Sequence, residues 1–305
     1  MSVVVQDLVK TYGEQKAVNN VSFSAKQGEV LGFLGPNGAG KSTTMKIATC
    51  FLPLTSGSVK VCGFDVNESP LEVRKHIGYL PEHNPLYLDM YVKEYLRFIG
   101  SLHQLKGNKL SARIEEVVDL CGLGLEQHKK NGALSKGYRQ RVGLAQSLIH
   151  NPDVLILDEP TTGLDPNQIV EIRKLIKTVS QDKTVIFSTH IMQEVQAICD
   201  RVIIINRGEV VANDSVTNLQ SLQKAGNKIV LEFDKAIDTA PLEQLEHVSA
   251  VINKEGFEYQ ITIIGEEDIR AEVFQLAKSQ NWNLLELRKE ATSLESVFHQ
   301  LTSNV

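Results

Sequence analysis

One stretch constrains this chain more than any other: Gly35-Pro36-Asn37-Gly38-Ala39-Gly40-Lys41-Ser42-Thr43. It follows the apolar run Glu29-Val30-Leu31-Gly32-Phe33-Leu34, which reads as a buried strand, and precedes Thr44-Met45-Lys46-Ile47-Ala48, which reads as a helix. Strand, glycine-rich loop and helix in that order are the setting of a phosphate-binding loop. The glycines let backbone N–H groups turn inward around an anion, and the helix N-terminus adds partial positive charge. Lys41 is placed to reach β- and γ-phosphates, and Ser42 to offer its hydroxyl to Mg2+. An α/β architecture is expected, because such a loop joins a strand to a helix.

The 305 residues allow one large domain or two, and an apolar fraction of 42% supplies a substantial core. A net charge of −5 argues against nucleic acid as a partner. Cys50, Cys62, Cys121 and Cys199 are scattered along the chain without metal-ligand spacing and read as reduced thiols of a cytosolic protein. The first ten residues carry Asp7 and no basic stretch ahead of an apolar one, so no signal peptide is expected. No apolar run is long enough to span a bilayer, and a membrane role would come through a partner.

In chain order, Val3-Val4-Val5 and Val18 to Ala25 read as strands around a turn at Gly13-Glu14, and Ser58 to Cys62 as another. Together with Val30 to Leu34 they predict a strand-rich N-terminal layer. Tyr12 ends the first strand, where it packs on its neighbours or stacks on a nucleobase. His76 to Glu82 reads as a strand ending at Pro81 and a carboxylate. The composition then turns helical over Val92 to Leu105 and Ser111 to Cys121, predicting an inserted helical lobe at about 85–150. Leu134-Ser135-Lys136-Gly137-Tyr138-Arg139-Gln140-Arg141 opens a further helix through Leu148. Ser135 and Gly137 make either an ordinary N-cap or a second anion site.

Val154-Leu155-Ile156-Leu157 reads as a fully buried central strand, ending in Asp158-Glu159-Pro160. Adjacent carboxylates there repel, and a bound Mg2+ relieves that conflict. Asp158 suits the metal, and Glu159 is placed to accept a proton from an attacking water. Thr184 to Ser188 is the next buried strand, ending in Thr189-His190. Ligands of α/β sheets sit beyond the carboxyl ends of the strands, which puts His190 within reach of a γ-phosphate. Arg201 to Asn206 and Glu209 to Ala212 read as a closing strand pair. A second domain is predicted over 226–305, with strands and helices in the ferredoxin-like order βαββαβ and a last helix at Leu294 to Leu301. It carries no phosphate or metal signature and reads as a packing or dimerisation appendage in preference to a ligand sensor.

Tyr12, the Gly35–Thr43 loop, Glu82, the Ser135 segment and Asp158-Glu159 with His190 lie in the order found in one family. Over residues 1–220 the chain resembles the nucleotide-binding subunit of an ABC transporter. The resemblance implies a P-loop NTPase core with an antiparallel β layer and an inserted helical lobe. It implies ATP and Mg2+ as cofactors, Tyr12 as the adenine-stacking residue and Gly35 to Thr43 as Walker A. Leu134 to Gln140 then corresponds to the family signature, Asp158 to Walker B, Glu159 to the catalytic glutamate, Asp165 to the D-loop and His190 to the switch histidine. Lys136 and Tyr138 stand where the signature usually has Gly and Gln, and Glu82 stands where the Q-loop has Gln. A carboxylate at position 82 remains an oxygen ligand for Mg2+. The Leu-Pro-Glu and Leu-Ser-Lys-Gly-Tyr variants, with Ala291 to Phe298, resemble ATPases of the bacterial exporter branch. The chain also resembles gliding-motility ATPase subunits. The resemblance further implies a second ATPase subunit, with a homodimer trapping two ATP, and an integral membrane permease that holds the pair on the inner face of the cell membrane. A chromosome-maintenance ATPase would need sustained heptads between Lys41 and Ser135, and a ribosome-acting translation factor two cassettes in one chain. This chain has neither.

Overall fold

The computed structural model of the protein describes residues 1–221, 227–254, 256–265 and 267–290. The expected helix at Leu294 to Leu301 and the Ala291 to Phe298 motif lie outside the described residues. The chain divides into two compact units, Met1–Val216 and Thr217–Val305.

In the first unit, β1 (Val3–Tyr12) and β2 (Gln15–Ala25) pair antiparallel, with Tyr12 opposite Gln15 across the Gly13-Glu14 turn. β3 (Val30–Leu34) follows, every residue buried. Gly40, at φ 105°, turns the chain into α1 (Lys41–Ala48). β4 (Ser56–Val61) returns to pair with β1, and the short β5 (Phe64–Asp65) completes a four-stranded sheet of order β2-β1-β4-β5. β3 is not part of that sheet, contrary to the sequence expectation of one N-terminal layer. Its uninterrupted apolar run suits a strand covered on both faces, and it lies between two parallel neighbours instead.

Helix α2 (Pro70–His76) opens on Pro70 and closes on Arg74, Lys75 and His76, favourable at a helix C-terminus. Sequence reasoning placed His76 in a strand; the strand, β6, begins only at Ile77 and runs to Leu80. The helical lobe holds α3 (Val92–Leu102), α4 (Gly107–Leu120) and α5 (Lys136–Leu148). α4 starts at Gly107, four residues ahead of the expected Ser111, and buries Leu110, Ile114, Val117 and Val118 on one face.

The chain continues through β7 (Val154–Asp158), α6 (Pro166–Val179), β8 (Thr184–Thr189), α7 (Met192–Ile198), β9 (Arg201–Asn206), β10 (Glu209–Ser215) and α8 (Val216–Ser221). The second sheet has the order β10-β9-β3-β8-β7-β6; β10 runs antiparallel to β9, and the other neighbours are parallel. One apolar cluster packs this sheet against the β1–β2–β4 layer and α1 through Phe23, Phe33, Met45 and Ile156. Another packs its other side against the helical lobe through Leu96, Ile114, Leu144, Leu157 and Phe187. Each fully buried side chain of this size contributes about 1.5–3 kcal/mol. The sheet is therefore clamped on both faces, and its strand ends are held rigid where the site forms.

The second unit takes in α8 beyond Val216 and then runs β11 (Asn227–Phe233), α9 (Ala240–Glu243), β12 (Val248–Asn253), β13 (Glu258–Ile263), α10 (Arg270–Ser279) and β14 (Leu284–Glu290). Its sheet is antiparallel in the order β12-β13-β11-β14, the arrangement that a βαββαβ chain adopts in a ferredoxin-like fold. Phe233 packs edge-on against Tyr259 and Trp282 at its centre. The first helix is a single turn, held in part by Ile237, whose N–H donates to the Tyr259 hydroxyl at 3.1 Å.

Candidate active site

β3, β8 and β7 are neighbours in the parallel sheet, with Leu34 level with Thr189 and Asp158 level with Ser188. Three segments therefore leave the sheet side by side at its carboxyl edge: the Gly35–Gly40 loop, Thr189-His190 and Asp158-Glu159. Register alone explains why groups far apart in sequence converge here.

The loop closes on α1 through its lysine. Lys41 Nζ donates to the Gly35 carbonyl at 2.7 Å and to the Pro36 carbonyl at 3.2 Å. A Cβ on Gly35 would lie 2.4 Å from the Ile205 carbonyl oxygen, and one on Gly40 2.5 Å from that of Ala17. Residues 37–43 line a cavity of about 330 Å3, with Ala17, Glu82, Glu159, Thr162 and His190 on its other walls. The N–H groups in the first turn of a helix have no intrahelical acceptor, and those of Lys41, Ser42 and Thr43 are in that turn. Backbone donors, a helix N-terminus and a lysine around one concavity make an anion cradle of polyphosphate size.

The acidic pair is buried, Asp158 at 1% exposure and Glu159 at 6%. The Asp158 carboxylate accepts from Ser42 Oγ at 3.1 Å and from Ser188 Oγ at 2.5 Å. Glu159, in the left-handed region at φ 50°, turns its carboxylate into the cavity. There it meets His190 Nδ1 at 2.8 Å, Thr162 Oγ1 at 3.3 Å and Lys41 Nζ at 3.6 Å. Burial holds the Lys41 ammonium below its usual pKa, and Glu159 opposes that shift. The Ser42 hydroxyl and Asp158 carboxylate are hard oxygen donors at hydrogen-bonding distance, a set that fits Mg2+.

The remaining expected residues stand elsewhere. Glu82 lines this cavity and also a neighbouring one of about 520 Å3, beside Lys136, Arg139 and Gln140. Tyr12 is half exposed at the end of β1, with Lys10 Nζ 5.1 Å from its ring centroid; it does not line the cavity. Ser135 caps α5, its Oγ accepting from Tyr138 N at 3.4 Å. Asp165 caps α6, accepting from Gln168 N at 3.0 Å, and Gln168 packs against Gly137. Ser135, Gly137 and Asp165 thus form a second cluster, and none of the three lines the cavity of their own chain.

Three residues escaped sequence reasoning. Ala17 presses its carbonyl on Gly40, and nothing in the sequence marks it. Thr162 reaches Glu159 from the turn after β7. Ser188 bridges Asp158 and the Glu159 N–H, which lies 3.1 Å from its Oγ. The run Ser188-Thr189-His190 at a strand end was the available signal.

A protein-family model described as ABC transporter matches residues 18–162. The chain is 37% identical over 250 residues to an uncharacterized ABC transporter ATP-binding protein, YxlF, of Bacillus subtilis strain 168, covering 82% of each. It is 32% identical over 302 residues to the linearmycin resistance ATP-binding protein LnrL of the same organism, covering 97% of each. The dimeric post-hydrolysis state of the ATP-binding cassette MJ0796, bound to ADP and Pi, matches with a TM-score of 0.65 and 28% identity, over 70% of this chain and 98% of that one. With relatives matched along nearly its whole length and a solved neighbour caught just after hydrolysis, the chain belongs to the ATP-binding proteins of ABC transporters and is an ATPase.

Proposed function

We propose that two copies of this chain close head to tail around two ATP and drive a separate integral membrane permease from the inner face of the cell membrane. The observation that supports this most is the separation within one chain of the phosphate cradle from the Ser135–Gly137 cluster. A helix N-terminus with a glycine beside it is an anion-binding element, yet its own cavity does not include it. The dimeric state of the MJ0796 cassette supports pairing.

In this reading Gly35 to Thr43 hold the phosphates, and Tyr12 stacks on the adenine from its exposed position. Lys41 stays charged against the β- and γ-phosphates. Ser42 and Asp158 hold Mg2+, with Glu82 as a further oxygen at the cavity wall. Bound there, the ion neutralises charge on the phosphate oxygens. Glu159 takes a proton from the attacking water, and His190 keeps the carboxylate aimed. Ser135 and Gly137 of the second copy close over the γ-phosphate, with Asp165 at the junction. ATP favours the closed pair because the γ-phosphate touches both halves only there. Glu82 and the helical lobe pass the motion to the permease.

The resistance function in the name of LnrL supports export as the direction. A role in gliding motility rests on overall similarity, with no residue of its own to carry it. The second unit serves as a packing or dimerisation appendage. Co-purification from detergent extract tests the reading: an integral membrane protein should accompany the wild-type chain in stoichiometric amount. A soluble or ribosomal partner in its place would refute it.

A further inference from the structure

We propose that Cys62, His76 and Asp153 form a binding site for a divalent transition metal of the Zn2+ class, separate from the nucleotide cavity. The three come from different segments. Cys62 sits in the turn between β4 and β5, His76 is the last residue of α2, and Asp153 immediately precedes β7. The Cys62 Sγ, a ring nitrogen of His76 and a carboxylate oxygen of Asp153 all lie within 4.8 Å of one another. His76 Nδ1 and Asp153 Oδ2 are 2.5 Å apart.

Zn2+ bonds sulfur at about 2.3 Å and nitrogen or oxygen at about 2.0–2.2 Å, which puts neighbouring tetrahedral donors roughly 3.3–3.6 Å apart. No donor pair is further apart than 4.8 Å, so the triangle is within small side-chain adjustments of that size. The His76–Asp153 edge, at 2.5 Å, must open by about 1 Å, and the Asp153 side chain is exposed enough to move. One thiol, one imidazole and one carboxylate suit a borderline metal; Mg2+ and Ca2+ take oxygen alone. The His76 ring is stacked on Phe64, centroids 5.4 Å apart and planes 18° off parallel, which limits its rotation. His76 and Asp153 are 31% and 63% exposed, so an ion can reach the cluster and a water can complete four-coordination.

The cluster stands at the end of the sheet away from the nucleotide. Ile77 pairs with Val154 where β6 and β7 begin, and Asp158 lies roughly 13 Å further along at ~3.3 Å per residue. A metal there ties the β4–β5 turn of the antiparallel layer to the strand that carries Asp158. It would stabilise the first unit without entering the chemistry of hydrolysis.

The test uses the full chain, chelator-treated and free of nucleotide, titrated with Co2+ and then Zn2+. One Co2+ per chain should bind with strong thiolate-to-cobalt absorption that Zn2+ bleaches. Cys62→Ser should abolish that absorption and Cys50→Ser leave it intact. His76→Ala and Asp153→Asn should each weaken binding by about tenfold or more. Zn2+ should raise the melting temperature of the wild type and not of Cys62→Ser. Should Cys62→Ser fail to fold, the His76 and Asp153 variants carry the same test. Absence of the band from the wild type, its survival in Cys62→Ser, or unchanged affinity in the other two variants would overturn the site.

Discussion

His190 Nδ1 stands 2.8 Å from Glu159 Oε2, joining the end of β8 to the end of β7 across the mouth of the phosphate cradle. The ionised carboxylate can only accept, so the imidazole donates from Nδ1. The same carboxylate faces Lys41 Nζ through its other oxygen. One buried carboxylate is thereby held between an imidazole and an ammonium.

Glu159→Gln keeps the size and the hydrogen-bonding shape of that side chain and removes its basicity. ATP affinity should stay near wild type, while turnover falls by about 10²–10⁴-fold. Steady-state phosphate release with a parallel nucleotide-binding titration checks both halves. Full turnover in the variant would remove Glu159 as the base.

Ser188 holds Asp158 and the Glu159 main chain at once. Ser188→Ala leaves a buried carboxylate short of one donor, while the Glu159 N–H keeps only the Ser188 carbonyl, 3.2 Å away. ATPase activity should drop by about 10–100-fold, the usual cost of losing a group that orients a ligand or base. A normal far-UV circular dichroism spectrum alongside that loss would place the effect at the site. Activity equal to wild type would show that Ser188 orients nothing.

Gly35 and Gly38 separate two kinds of cost. A Cβ at position 35 meets the main chain and side chain of Ile205 at 2.4 and 2.9 Å, so β9 or the loop must move. Gly35→Ala should destabilise the protein by about 1–3 kcal/mol and abolish nucleotide binding. Position 38 has open space but a φ of +80°. Gly38→Ala should cost about 1–2 kcal/mol of backbone strain and weaken binding less. Denaturant melts and a fluorescent-nucleotide titration order the two variants.

His150 stacks on His103 with ring centroids 3.8 Å apart, and its Nε2 bonds the Ile77 carbonyl at 2.9 Å. Burial, helped by His103, drops its pKa from 6.5 to about 4, against the raising effect of the Ile77 bond. Between those values the unfolded chain holds a proton that the folded chain lacks, so stability is full above pH 6.5 and declines on acidification towards pH 4. The slope from this group is at most about 1.4 kcal/mol per pH unit. Melts of His150→Gln across that range should show a flatter pH dependence than the wild type. Parallel curves would contradict it.

The local signals of this chain were strong where one segment carries both structure and chemistry. The Gly35–Thr43 loop announces its strand, its turn and its helix within a single run. Asp158-Glu159 stands out because two carboxylates at the end of an apolar strand repel. What escaped was set by non-local pairing. β3 looks like one more N-terminal strand until its buried faces place it between β9 and β8. Helix α2 is a short element whose strongest sign, Pro70 at its start, also reads as a loop. Ser188 became visible only when the β7–β8 register put it level with Asp158. Cys62, His76 and Asp153 have no ligand spacing in sequence because three separate segments bring them together.

The dimer is the claim on which the rest turns, and sedimentation of Glu159→Gln in saturating Mg-ATP measures it most directly, with and without its membrane subunit. The protein should be a monomer without nucleotide and a dimer with it, and Ser135→Arg added to the same chain should return it to the monomer while ATP still binds. A Glu159→Gln chain that binds ATP yet stays monomeric in both preparations would contradict the shared site.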